Sequence, residues 1–181
     1  MIISRTALPN SSLLYSIDKK YDYIDGFQAS FTDAKSNLTV CEVAKAFLLS
    51  APKWVQHLVT ARNKIVGIFG LKVSRNADRS ELVKNFNCEK GEQIGLFKVL
   101  GKSADEIILG EDDKHLNFRV SLFLERPQID KQQARLTIST IVLFNNWLGR
   151  LYFLPVKPFH RFIVPIMMKG IIRQLQAQHL E

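Results

Sequence analysis

Residues Pro158 to Gln178 read PFHRFIVPIMMKGIIRQLQAQ, and this stretch decides the fold. Apolar side chains recur in it every three or four residues, which predicts an α-helix with one broad apolar stripe. Pro158 suits a helix start, because the amide hydrogen that proline lacks would have no partner there. Pro165 lies inside the pattern and predicts a kink or a restart. Unbroken, the helix would extend for about 31 Å, enough to cross several strands.

The region ahead of this helix predicts antiparallel strands, because apolar and polar residues alternate there with a period of two. The alternation is clearest over residues 115–125 and is repeated over 135–144. Shorter candidate strands lie at 93–101 and 106–111, and the links between the strands suit hairpins. We expect one apolar face that packs on the helix and one face that meets solvent.

The first part of the chain predicts one further strand and two helices. Alternation over residues 27–31 indicates a half-buried strand. Thr39 and Glu42 have the spacing of a capping box, which predicts a helix over 40–49, and a second helix is expected over 52–69. The order of elements predicts an α+β fold in one domain that spans the chain, with two consecutive helices after the first strand.

This order resembles the helix-grip fold of the START and birch-pollen-allergen superfamily. In those proteins a curved antiparallel sheet wraps a long C-terminal helix and encloses a hydrophobic cavity. The run LPVKPFHR, residues 154–161, is similar to the closing segment of a bacterial family of unknown function in that superfamily. The resemblance implies a START-like fold better than a function, because one fold hosts many functions. Lipid carriers, polyketide cyclases and RNA-binding proteins share it, and no catalytic residue set of theirs maps onto this chain.

The resemblance and the apolar patterns together predict a ligand cavity between the sheet and the C-terminal helix. Its expected wall consists of Phe118, Val120, Leu122, Ile138, Val142, Phe159, Phe162 and Ile166. A cationic mouth is expected where basic and aromatic residues gather, at Arg150, Tyr152, Lys157, His160 and Arg161. These cations would bind the carboxylate or phosphate head of an amphiphile. The alternative is that they only solvate the outer side of the helix.

Three functions follow from these patterns. The first is a protein that binds a hydrophobic or amphipathic, lipid-like small molecule. The second is a cyclase- or hydrolase-like enzyme, with Tyr152, His160 and Thr140 as candidate polar groups in the interior. The third is peripheral binding to an anionic membrane through the basic, aromatic segment 146–161. The net charge of +8 favours anionic partners, but the aromatic–basic motif of a nucleic-acid-binding protein is missing.

The sequence predicts neither a metal site nor a cofactor. Its four histidines are far apart and form no cluster with cysteine, and it has no phosphate-binding loop, dinucleotide fingerprint or nucleophile elbow. Cys41 and Cys88 are expected to be free thiols in a reducing compartment. With no leader and no uncharged stretch of bilayer-spanning length, the predicted location is the cytoplasm.

Overall fold

The computed structural model describes residues 1–15, 21–33, 37–50, 79–126 and 132–179. The strands in these ranges are β1 (Ile3–Arg5), β2 (Tyr23–Thr32), β3 (Gln93–Ile94), β4 (Phe97–Lys102), β5 (Glu106–Asp112), β6 (Leu116–Glu125) and β7 (Gln133–Phe144). The helices are α1 (Val40–Leu49), α2 (Arg79–Lys84) and α3 (Trp147–His179). The second predicted helix, over 52–69, lies outside the described residues.

The strands form one open, curved antiparallel sheet in the order β1–β2–β7–β6–β5–β4–β3. β7 is central and pairs along most of its length with both β2 and β6. The predicted α+β fold, with a run of antiparallel strands followed by a long C-terminal helix, is confirmed. The capping box is also confirmed, since the Thr39 hydroxyl accepts from the Glu42 amide and Glu42 accepts from the Thr39 amide.

One face of the sheet, called here the helix side, carries α1 and α3. Successive side chains of a strand alternate between the two faces, so the helix side receives every second residue. The main core lies there. Its largest members include Phe27 and Phe31 of β2, Leu122 of β6, Ile138 of β7, Phe47 of α1, and Met168, Ile171 and Ile172 of α3.

The other face of the sheet does not meet solvent as predicted, because the N-terminal segment packs across it. A second apolar cluster forms there from Leu14, Ile108 and Ile141. Beside this cluster, the buried Glu106 carboxylate accepts hydrogen bonds from the Ser12 hydroxyl at 2.5 Å, the Leu13 amide at 2.5 Å and the Ser121 hydroxyl. These donors replace the water that a buried carboxylate loses, and they tie the N-terminal segment to the sheet.

Helix α3 begins at Trp147, about three turns ahead of the start predicted at Pro158. Asn146 caps it, because the side-chain oxygen of Asn146 accepts from the Gly149 amide at 3.1 Å. The helix then continues through Pro155, Pro158 and Pro165. The prolines therefore mark neither its start nor a restart. The cap and the packing of an apolar side stabilise it against the backbone bonds that proline removes.

Gly149 lies against the turn between β5 and β6, and a Cβ atom there would overlap the carbonyl oxygen of His115. We expect Gly149→Ala to displace the first turn of α3 and to lower the free energy of unfolding by about 1–3 kcal/mol. Gly101→Ala is the matched control, because a Cβ at Gly101 would have neighbours only at 3.9 Å. Urea denaturation measures both variants, and a Gly149→Ala protein as stable as the wild type would contradict the expected overlap.

Cys41 of α1 and Cys88 form a disulfide, so the prediction of two free thiols is wrong. Their Cα atoms lie 5.7 Å apart, although the two cysteines are 47 positions apart in the chain. The separation explains the error. The pairing depends on the packing of α1 against α2, after which Cys88 follows, and no local spacing encodes that contact. Cys88 is completely buried, and its backbone has a positive φ of 60°.

The disulfide should add substantially to stability, because it closes a long loop in the unfolded chain. We expect the double variant Cys41→Ser, Cys88→Ser to lose roughly 2–4 kcal/mol of unfolding free energy. Denaturation with and without dithiothreitol measures this loss. The reductant should destabilise the wild type by a similar amount and leave the serine variant unchanged. A wild type that is equally stable in both conditions would show that the bond does not form.

Candidate functional site

The first half of α3 lies against the start of β2, and aromatic rings form much of this contact. The ring of Phe153 packs edge-on against Tyr23, with centroids 4.9 Å apart, and lies 5.5 Å from the ring of Phe144. Val142 completes the apolar part of the contact. The inner side of α3 therefore packs on the sheet already in its first half, before the helix residues that belong to the main core.

A polar cluster of Tyr23, Asp25 and His160 lies within this contact, and we call it the Asp25 cluster. The Tyr23 hydroxyl donates to Oδ2 of Asp25 at 2.6 Å, and Nδ1 of His160 lies 3.0 Å from the same oxygen. Because a carboxylate only accepts, Nδ1 of His160 carries the proton of this bond. The side chain of Asp25 is only 2% exposed, whereas that of His160 is 19% exposed.

Strand alternation places Asp25 in the interior. Tyr23 and Asp25 share the helix side of β2 with Phe27, so an acid occupies a position where the pattern otherwise places apolar residues. Thr140 is the register partner of Asp25 on β7 and points to the same side. Within the described ranges, Oδ1 of Asp25 and Oγ1 of Thr140 are buried and find no hydrogen-bond partner.

Two cations of α3 lie close to Tyr23. The Lys157 ammonium is 5.7 Å from the centre of the tyrosine ring, within range of a cation–π contact. Burial raises the pKa of Tyr23 to about 12, and the hydrogen bond and charge of Asp25 act in the same direction. The Arg161 guanidinium, which lies near the same hydroxyl, opposes this rise. Tyr23 therefore keeps its proton at neutral pH and remains a donor to Asp25.

The raised pKa of Tyr23 makes stability depend on alkaline pH. The neutral hydroxyl is favoured in the folded state, so its contribution is complete below pH 10.0 and is lost as pH rises towards about 12. We expect Tyr23→Phe to be less stable than the wild type at neutral pH and to lose less stability between these two pH values. Thermal unfolding across this range measures the effect, with Tyr15→Phe, at an exposed tyrosine, as the control. Parallel curves for wild type and Tyr23→Phe would contradict it.

The other side of α3 is apolar as well, but it is exposed. We call this surface the outer face, and its members are Trp147, Leu151, Leu154, Phe159, Phe162 and Ile166, each between 49% and 70% exposed. All except Phe159 follow helical spacing along one line, in which Pro158 fills the gap between Leu154 and Phe162. The line extends for about 30 Å. So large an exposed apolar surface is typical of an interaction site.

The charges on α3 all have one sign. Residues 147–179 include five basic residues and no acid. The five are exposed: Arg150, Lys157, Arg161, Lys169 and Arg173. Arg150 has a partner outside the helix, Asp22, at 3.7 Å. The outer face thus belongs to a helix whose Lys and Arg side chains are all exposed and which carries no acid.

The predicted cavity wall divides into two parts. The sheet residues lie on the helix side, where Val120, Leu122, Ile138 and Val142 are buried and Phe118 is half-buried. The helix residues Phe159, Phe162 and Ile166 do not face them, since they lie on the exposed outer face. Their assignment to the interior is therefore corrected. Because α3 is apolar on both sides, periodicity alone did not identify the buried one, which includes Phe153, Val164, Met167, Met168, Ile171, Ile172 and Leu175.

The predicted mouth residues also separate. Lys157, His160 and Arg161 come together at the Asp25 cluster, whereas Arg150 lies near the start of α3 and Tyr152 is half-buried about two turns before His160. Three residues were predicted as polar groups of an enzyme site. Two of them, His160 and Thr140, lie near the Asp25 carboxylate.

Tyr23 and Asp25 were not predicted as site residues. The missed signal was the alternation of β2, which continues back from Phe27 and places an acid on the apolar side.

A cavity of about 10 Å³ lies between the end of β2 and the end of α3, lined by Phe31, Thr32, Asp33, Leu38 and Leu175. This volume suits about one water molecule, whereas ligand sites measure roughly 300–1,000 Å³. None of the predicted wall residues lines it. The predicted ligand cavity stays a prediction.

No described helix is both long enough and apolar enough to cross a bilayer. Among the side chains of the described ranges, no group of three or more His, Cys, Asp and Glu is arranged to hold a metal ion.

Fold and site together define an α+β protein in which an antiparallel sheet carries a long basic helix with an apolar outer face. Residues 17–167 match the DUF2867 family, described as proteins of unknown function, and the chain belongs to this family. Neither curated proteins nor solved structures give a match to the chain.

Proposed function

We propose that this protein binds the surface of anionic membranes through the outer face of α3. The observation that carries the proposal is the exposed apolar line from Trp147 to Ile166 on a helix without acids. An amphipathic helix with Trp, Phe and Leu on one side and Lys or Arg beside them is suited to lie in the plane of a membrane interface.

The charges of α3 distinguish a membrane from other partners of an apolar surface. A second copy of this chain would present the same cations and would repel the first. An anionic lipid surface attracts them, at about 1 kcal/mol for each Lys or Arg that approaches it. Insertion of each large apolar side chain adds about 1.5–3 kcal/mol. Apolar and electrostatic contributions therefore favour the same partner.

We expect the full chain to float with vesicles that contain phosphatidylserine, to bind less to pure phosphatidylcholine vesicles, and to release at high salt. Leu154→Gln with Phe162→Gln should weaken binding by roughly tenfold or more, because two inserted side chains are lost. Lys169→Glu with Arg173→Glu should abolish the preference for anionic lipid. Leu82→Gln is the matched control, since it changes an exposed leucine of a different helix, α2.

Light scattering in solution separates the remaining outcomes. A stable dimer that Leu154→Gln with Phe162→Gln dissociates, in a protein that binds no vesicles, would assign the outer face to self-association and overturn the proposal. Vesicle binding that the paired glutamine substitutions leave unchanged would overturn it as well.

We also propose that the sheet and α3 are arranged as in the helix-grip fold, a proposal supported by the element order and by the seating of α3 on the helix side. Binding of an amphipathic small molecule between them stays a prediction. A cytoplasmic location also stays a prediction. It was based in part on two free thiols, but Cys41 and Cys88 form a disulfide. Disulfides are typical of oxidising compartments.

A further inference from the structure

The Asp25 cluster costs more folding free energy than is needed for a contact that only packs a helix on a sheet. A buried carboxylate loses its hydration, and well-packed apolar residues at such positions are often as stabilising or more so. Asp25 keeps one oxygen without a hydrogen-bond partner among the described residues, and so does its neighbour Thr140. Buried polar groups without a partner are rare in native proteins, and a catalytic role is one of the explanations for them.

The histidine of the cluster is oriented as a base. Because Nδ1 of His160 donates to Asp25, the lone pair of the neutral ring lies on Nε2. Over the described part of the chain, no hydrogen bond to Nε2 is found, and the side chain is 19% exposed, so solvent reaches the ring. A buried carboxylate that fixes the tautomer of an accessible histidine is the arrangement of general-base catalysis.

We propose that His160, oriented by Asp25, activates water for the hydrolysis of carboxylic esters beside the start of β2. Nε2 of His160 takes a proton from water while the water oxygen bonds to the ester carbonyl carbon. The resulting oxyanion collapses, the bond from that carbon to the alcohol oxygen breaks, and the proton on Nε2 passes to the alcohol. One water is consumed, and an acid and an alcohol are formed.

The cations at the cluster suit this chemistry. Arg161 and Lys157 lie at Tyr23, on the same turns of α3 as His160. A positive charge beside the reacting carbonyl would stabilise the oxyanion in the transition state. Asp25 and Tyr23 are positioning residues, because they act through His160.

The test uses the full chain with 4-nitrophenyl acetate and 4-nitrophenyl decanoate, without vesicles, and follows release of 4-nitrophenolate. We expect hydrolysis faster than in buffer and a loss of about a hundredfold or more in kcat for His160→Asn. This variant keeps an N–H donor for Asp25 but has no base. Asp25→Asn should lower kcat with little effect on KM, and Asp25→Glu should restore part of the rate.

Chemical rescue distinguishes a base from a residue that only supports the fold. In His160→Ala, added imidazole should restore part of the rate beyond the hydrolysis that the same imidazole gives without protein, whereas a structural loss would leave only that protein-free rate. Glu106→Gln is the matched control, because it changes a buried carboxylate on the opposite face and should keep the wild-type rate.

A wild type no faster than buffer, or a His160→Asn protein that keeps the wild-type rate, overturns the inference. Since vesicles are absent, either result leaves the membrane proposal to its own test.

Discussion

The contact between α3 and the helix side of the sheet is the interaction on which the rest of the structure depends. It is fixed at three places: the hydrogen bond from the Asn146 side chain to the Lys114 carbonyl, the Asp25 cluster, and the main core around Met168. A helix that is apolar on two sides can pack only one of them against the sheet. The choice of the inner side therefore leaves the outer face in solvent, where a partner of suitable chemistry gains from covering it.

The two faces of the sheet bury carboxylates with different consequences. Glu106 accepts from two hydroxyls and an amide, so its charge is satisfied by groups that join the N-terminal segment to the sheet. Asp25 accepts from a tyrosine and a histidine, and one of its oxygens has no hydrogen-bond partner among the residues that the structure describes. The first arrangement is complete as a structural contact. The second keeps a titratable partner and spare bonding capacity, which is why chemistry is inferred at Asp25 and not at Glu106.

The fold was largely predictable because its elements carry strong local patterns. The alternation of β6 and β7 and the capping box of α1 each act within a few residues, so the sequence shows them directly. Three features depend on contacts between distant segments and were missed. The Cys41–Cys88 bond needs α1 beside α2, the start of α3 needs the hairpin next to Asn146, and the buried side of α3 needs the sheet. Asp25 was missed for a different reason, since its strand pattern was followed only from Phe27 onward.

The disulfide has a consequence for the integrity of the chain. Its two cysteines are 47 positions apart in the chain, so any single cleavage between them leaves two fragments that remain covalently joined. A nicked molecule would keep its mass, apart from one added water, until a reductant separated the pieces. Loss of backbone continuity in that span therefore need not mean loss of the protein. Its persistence would be governed by the thiol chemistry of its surroundings as much as by the proteases there.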